Sequence, residues 1–354
     1  MSRLYSNLKF LGYPDRIEAL RDGRVVAPVH VRIKPINHCN HGCWYCAYRA
    51  DALQLGEEMR LADRLPEAKM REIVDDLIEM GVQAVTFSGG GEPLLYRSLP
   101  EHVAALGEAG VRVAALTNGS NLKGRMAEAF ADHGTWIRVS LDAWDDRSYA
   151  LQRGLREGAF SSLLRNLEAF AARGSRCVLG VSFIVGQDNH RHIHEACERL
   201  KSAGVSHVKI AAAVVSNDGL ANNRYHAGIK AAVADQIALA RTLADESFSV
   251  VDHYHEAEER FDKAYRRCGI LQFLTVIGAD QVVYSCQDKA YSESGRLGSI
   301  AERSFKQLWF SAELAARMRG FDPARDCRHH CVAHAKNQVL AELLSVDAEH
   351  AAFV

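Results

Sequence analysis

Hydrophobic and polar positions follow two rhythms along this chain, and the rhythms trade places repeatedly. Val29–Ile36 (VHVRIKPI) alternates with period two and predicts a strand. Pro66–Met80 opens on proline, carries Met70, Ile73, Val74, Leu77 and Met80 at helical spacing, and stops at Gly81, which predicts a helix. Further strands are predicted at Ala84–Phe87, Val111–Thr117, Trp136–Leu141, Cys177–Val185 and His207–Ala213. Helices at Ser98–Ala109, Gly124–His133, Ser161–Ala172 and His192–Ala203 separate them. About six βα units in a row specify an α/β protein with a parallel sheet, closed partway into a barrel or open and doubly wound.

The rhythm stops after Ala213. Ser216–Tyr225 (SNDGLANNRY) is polar and turn-rich, and a helix is expected over Ala232–Ala244. Leu274–Tyr284 reads as a hairpin turning at Gly278-Ala279-Asp280, and Val332–Leu344 as an amphipathic helix. The expected division is an extension over 1–28, a core over 29–215, a linker and helix over 216–246, and a second unit over 247–354.

Composition narrows the function. A formal net charge of −1 gives no bulk attraction for nucleic acid or a membrane surface. No apolar run reaches the roughly 20 residues that span a bilayer, and Met1–Tyr13 has no signal-peptide core, so a cytoplasmic location is expected. Nine cysteines in a reducing compartment point to metal rather than disulfides.

The cysteines cluster. Cys39-Asn-His-Gly-Cys43-Trp-Tyr-Cys46 lies between the first strand and the first helix. Three thiolates at this spacing suit three irons of a [4Fe–4S] cube with the fourth left open. A zinc site completed by His38 or His41 also fits the triad alone. Cys268, Cys286, Cys327 and Cys331 form a second group: the hairpin brings Cys268 and Cys286 close, and the pair Cys327 and Cys331 could then complete four ligands. Four thiolates fill every iron of a cluster, or ligate a zinc. Cys177 and Cys197 stand apart and read as inert buried thiols; His329, His330 and His334 read as solvated or supporting groups rather than ligands.

CxxxCxxC with Tyr45 before the last cysteine resembles the signature of the radical S-adenosylmethionine (SAM) superfamily, over about residues 29–214. Ser88-Gly89-Gly90-Gly91-Glu92-Pro93 after the second strand matches that family's GGEP motif, which binds the SAM amino group. The resemblance implies a partial (β/α)6 TIM-like barrel holding a [4Fe–4S] cluster on Cys39, Cys43 and Cys46. It implies SAM contacts at Tyr45, Gly90, Gly91, Glu92, Pro93, Asn118, Ser140, Asp142 and Arg153. The C-terminal cysteines resemble the SPASM extension, more closely its shortened twitch form, and imply one auxiliary [4Fe–4S] cluster on Cys268, Cys286, Cys327 and Cys331. Where the SPASM consensus has glycine, five residues before the second cysteine, this chain has Gln281.

The implied chemistry is reductive cleavage of SAM to methionine and a 5′-deoxyadenosyl radical, which takes a hydrogen atom from substrate. The auxiliary cluster favours net oxidation; epimerisation and dehydration compete. With 38 residues before Cys39, no N-terminal peptide-binding domain is expected, so a sugar, aminocyclitol or nucleotide-linked sugar is favoured. A ribosomally made peptide is the alternative substrate, and a non-catalytic metal-binding scaffold the alternative class. Lys209 is a candidate substrate contact. The expected partners are a flavodoxin- or ferredoxin-like electron donor and a small molecule, with the chain a monomer or homodimer.

Overall fold

Every second residue of the βα strands is apolar and packs outward against the helices, which is what bends these strands into one layer. The computed structural model describes residues 5–53, 55–255, 261–347 and 349–353. Six strands carry the βα rhythm: β1 (His30–Ile33), β2 (Ala84–Phe87), β3 (Arg112–Thr117), β4 (Gly134–Leu141), β5 (Val178–Val185) and β6 (His207–Ala212). They pair in parallel in chain order. Helices Glu67–Glu79, Leu99–Glu108, Gly124–His133, Ala159–Ala171 and Ile193–Ser202 cross back between them and bury Met70, Ile73, Val103, Phe130, Leu167 and Leu200 on the outer face.

The sheet does not end with these six. A strand absent from the sequence reading, β7 (Ser249–Asp252), pairs in parallel with β6. On the other side β8 (Leu274–Ile277) pairs in parallel with β1, followed by antiparallel β9 (Val282–Tyr284) and β10 (Arg296–Ser299). The order is β10-β9-β8-β1-β2-β3-β4-β5-β6-β7. The hairpin thus continues the barrel sheet from its first strand.

Other expectations are corrected in detail. The first strand is shorter than Val29–Ile36: Lys34 still donates to the Ile277 carbonyl at 2.8 Å, but Pro35 has no N–H to continue the ladder. The turn-rich 216–225 segment is mostly helix, Gly219–Ala227. Asp218 caps it through the Leu220 N–H (2.9 Å), and Asn222 accepts from the Val215 N–H (2.8 Å), so its polar residues are capping chemistry. A second unforeseen helix, Asp146–Arg153, starts in a capping box of Asp145 and Ser148. Gln281 takes φ 61° in the hairpin turn, the left-handed conformation that glycine supplies at lower cost, so the turn keeps its shape without glycine.

The inner face of the sheet is polar. His30, Arg32 and Lys34, then Thr86, Arg138, Ser140, Ser182, His207 and Lys209, occupy positions that alternate with the apolar outer face. His30 bonds Thr86 Oγ1 across the strands at 2.8 Å. Tyr5 rests against this face: its hydroxyl meets His207 Nε2 at 2.9 Å, and the Lys209 ammonium lies 5.5 Å from its ring.

Burial, reinforced by Arg32, lowers the His30 pKa to about 3; burial, reinforced by Arg138, lowers His207 to about 4. Both are neutral in the fold at pH 6.5, the ordinary value at which the unfolded chain takes up protons. Below it the unfolded state binds more protons, so stability falls as pH falls, by about 1 kcal/mol per pH unit per histidine. Urea unfolding of metal-free protein at about pH 7 and about pH 5.5 is expected to show this loss, and His207→Gln to reduce it.

Candidate functional site

The cysteine loop leaves β1 at the C-terminal rim of the parallel strands, where barrel folds place their chemistry. The chain around it is tied down on two sides. On one side the helix Asp146–Arg153 offers its last carbonyls: Gly42 N–H donates to the Arg153 carbonyl (2.8 Å) and Trp44 N–H to that of Gln152 (3.2 Å). On the other, the glycine loop after β2 is stitched to the residues leading into Cys39. Gly91 N–H donates to the Ile36 carbonyl (3.1 Å) and Glu92 N–H to that of His38 (3.0 Å). A Cβ on Gly91 would lie 2.0 Å from the His38 carbonyl oxygen, and one on Gly90 would lie 2.2 Å from Asn37 Oδ1. Gly91 therefore lets two backbones touch, and Gly90 lets the Asn37 side chain close in. Gly91→Ala is expected to cost about 2 kcal/mol and to loosen the cysteine loop, read as a lower urea midpoint with lower iron uptake.

Cys39, Cys43 and Cys46 are free thiols, all half-buried. Burial raises Cys39 and takes Cys43 up to about 11, so without metal Cys43 is a neutral thiol at neutral pH. Asn118 Nδ2 reaches the Cys39 sulfur at 4.0 Å and Asn40 Oδ1 at 2.9 Å. Of the two histidines that could complete a zinc site, His38 is exposed, and His41 turns its Nδ1 to Arg153 (3.4 Å) and its ring edge to Tyr149.

Glu92 is buried and knots the ends of β2 and β3. It accepts from Leu94 N–H (3.0 Å), the Thr117 hydroxyl (2.5 Å) and Asn118 N–H (2.7 Å). Burial raises its pKa against these bonds. A carboxylate has about four acceptor sites, so one remains open. Asp142 and Arg153 are both fully buried; Nε of Arg153 donates to Asp142 Oδ1 at 2.7 Å. Nη2 of Arg153 donates to the Tyr45 hydroxyl (2.6 Å) and the Ser140 carbonyl (2.8 Å). Arg153 is thus engaged beneath the loop and holds Tyr45. The other Asp142 oxygen and the Ser88 hydroxyl are buried with no hydrogen-bond partner. Unsatisfied polar atoms at a glycine-lined rim are what a polar cofactor would complete, so these residues fit one.

The second group lines one cavity: Cys268, Cys286, Cys327 and Cys331, with Ser285, Asp288, His329 and Asn337. Asn337 Nδ2 lies 3.3 Å from the Cys268 sulfur. Buried Lys289 donates to the Asp326 carbonyl (2.6 Å), and Asp288 accepts from Val332 N–H (3.0 Å). These two bonds lash the Cys286 turn to the Cys327 and Cys331 turns. Burial pushes Cys327 up to about 12 and Cys286 well above the usual thiol range. Ser285 Oγ and His329 Nε2 are buried without partners. His329 is therefore interior rather than solvated, while His334 stacks on Tyr265. No three His, Cys, Asp or Glu among the described residues converge at metal-binding distance. The four thiols share this one cavity lining.

Cys177 and Cys197 are buried away from both groups, with pKa pushed to about 12 by burial. The sequence reading missed Lys34, whose ammonium joins the cysteine loop to the glycine loop. It donates to the Tyr48 hydroxyl at 2.6 Å and to the Gly89 carbonyl. Its signal was the alternating His30, Arg32, Lys34 of the first strand.

Residues 33–200 match the Radical SAM superfamily. The Fe-coproporphyrin III synthase of Methanosarcina barkeri is 30% identical over 44% of this chain and 36% of its own length. A GTP 3′,8-cyclase of Synechocystis sp. is 27% identical over 48% of this chain and 50% of its own. The chain therefore spans at most half of these two relatives. In fold it is similar to Streptococcus suis SuiB bound to the precursor peptide SuiA: TM-score 0.63 at 14% identity, over 94% of this chain and 78% of SuiB. It is also similar to anSMEcpe bound to AdoMet: TM-score 0.60 at 16% identity, over 90% of this chain and 96% of that one. No described helix is long and apolar enough to cross a membrane.

Proposed function

We propose that this chain, whose residues 33–200 form a Radical SAM superfamily domain, is a radical SAM enzyme acting on a small polar substrate in its barrel lumen. One observation carries the reading: three free thiols on a rim loop, stitched by backbone hydrogen bonds to the Gly90-Gly91-Glu92 turn. Cys39, Cys43 and Cys46 would hold three irons of a [4Fe–4S] cluster, leaving the fourth for SAM. When bound and reduced, the pair supplies a 5′-deoxyadenosyl radical that takes a hydrogen atom from substrate. The chain's own residues position and shield that chemistry. Glu92 has an acceptor site left for an ammonium group, and Pro93 begins the short turn that its carboxylate caps. Asp142, Ser140 and Asn118 present polar groups along the ends of β3 and β4. Arg153 fixes the Tyr45 ring from below, acting on the cofactor through Tyr45 and the loop.

Cys268, Cys286, Cys327 and Cys331 would hold a second [4Fe–4S] cluster with no open iron, which supports net oxidation over dehydration or epimerisation. A flavodoxin- or ferredoxin-like protein would supply the electron. The matched relatives' names specify small molecules, a coproporphyrin and GTP, which favours a metabolite as substrate. The second reading, modification of a ribosomally made peptide, draws on the fold shared with SuiB, a likeness of fold alone.

Anaerobic reconstitution tests the proposal. About eight irons per chain are expected, with 5′-deoxyadenosine formed once SAM and reductant are added. Stoichiometric zinc with no SAM cleavage would overturn it.

A further inference from the structure

The barrel's inner wall carries a charge pattern that the cofactor sites leave unused. Arg32 on β1 and Arg138 on β4 both stand on the inner face, opposite in parity to Val31, Ile33, Ile137 and Val139. Arg32 Nε is buried with no hydrogen-bond partner. The Arg138 guanidinium lies 5.7 Å from the Trp136 ring, and Nη1 is 3.5 Å from the Tyr5 hydroxyl. Neither guanidinium has a carboxylate hydrogen bond among the described residues. Asp288 is the acid whose charge reaches Arg32, and Lys34 and Lys209 add positive charge to the same wall. Burial lowers Arg32 to about 10, reinforced by the positive charge of Arg138 on the same inner face.

Holding two like charges on one partly buried wall is costly, and the arrangement becomes favourable when an anion sits between them. Guanidinium forks match the paired oxygens of phosphate and carboxylate. We propose that the lumen between β1 and β4 is an oxyanion site in which Arg32 and Arg138 grip the phosphate or carboxylate of the substrate. This rests on the reading that the lumen holds the substrate. It also sets the substrate's direction. Lys34, two residues further along β1, touches the Gly89 carbonyl of the rim loop. The anionic end therefore sits about 7 Å below the rim, and the reacting carbon points upward to the cofactor.

The test uses reconstituted protein and two probes, inorganic phosphate and malonate, titrated calorimetrically at constant ionic strength. One site per chain is expected for at least one probe; which one binds separates a phosphate from a carboxylate source. Arg32→Gln and Arg138→Gln are each expected to weaken binding roughly ten-fold, while the exposed Arg165→Gln leaves it unchanged. Iron content of about eight per chain certifies that each variant is folded. Phenylglyoxal labelling of the unaltered protein gives an independent readout, since the bound probe should protect Arg32 and Arg138. Absence of binding, unchanged affinity in both variants, or no protection would each overturn the site. SAM cleavage in the same samples separates the two claims. A protein that forms 5′-deoxyadenosine without binding either anion refutes this inference alone. Anion binding without SAM cleavage refutes the enzymatic reading alone.

Discussion

Changing Cys39, Cys43 and Cys46 together to alanine is expected to abolish 5′-deoxyadenosine formation and to halve iron content, from about eight to about four per chain. The two iron contents are additive because the two cysteine groups lie in separate surroundings. The first sits on the rim loop, held by Gln152, Arg153 and the glycine turn; the second lines its own cavity, laced by Lys289, Asp288 and Asn337. None of the lacing contacts of the second group involves the first three thiols. The remaining irons should give the spectrum of a fully ligated cluster, unchanged by added SAM. Complete loss of iron would show instead that the C-terminal cysteines hold no cluster of their own.

Arg153→Met is expected to destabilise the protein by about 3–5 kcal/mol and to cut SAM cleavage on the order of 100-fold. The first figure follows from leaving the fully buried Asp142 carboxylate without its cation. The second follows from the bond between Nη2 and the Tyr45 hydroxyl, whose loss frees a ring next to Cys46. The double change Arg153→Met with Asp142→Leu separates these effects. Removing both charges should restore most of the stability, because neither buried ion is then orphaned. It should not restore activity, because Tyr45 still lacks its anchor. Urea midpoints and 5′-deoxyadenosine yields read the two outcomes independently.

Much of this was legible in the chain itself, for physical reasons that differ by region. The six βα units announced themselves because outward positions such as Val31, Ile33, Val85 and Val113 must bury against amphipathic helices. The cysteine spacing and the glycine turn were visible as local strings, and the structure adds why they belong together: Gly91 is pressed against His38. What stayed hidden depended on contacts between distant segments. Ser249–Asp252 is too short to declare itself without its β6 partner. Gly219–Ala227 has little apolar periodicity and is stabilised at its start by Asp218 and Asn222. The engagement of Arg153 needed Asp142 and Ser140 from the end of β4 and Tyr45 from the cysteine loop brought around it. The inner charge of Arg32 and Lys34 was present in VHVRIKPI, but alternation alone does not say which side faces a lumen.

The pairing of β8 with β1 also governs how the chain acquires its fold. A ribosome delivers β1 early, and β2 can close one of its edges soon afterwards. Its other edge waits for Leu274–Ile277, which is synthesised long after it. Until then an unsatisfied row of N–H and C=O groups beside the cysteine loop stays open to foreign strands. A long-range pairing must therefore form before the free edge of β1 is covered. Metal delivered before this closure would meet a cysteine loop beside an unfinished sheet. Yields of correctly loaded protein should respond more to the speed of late synthesis and to chaperones than to iron supply alone.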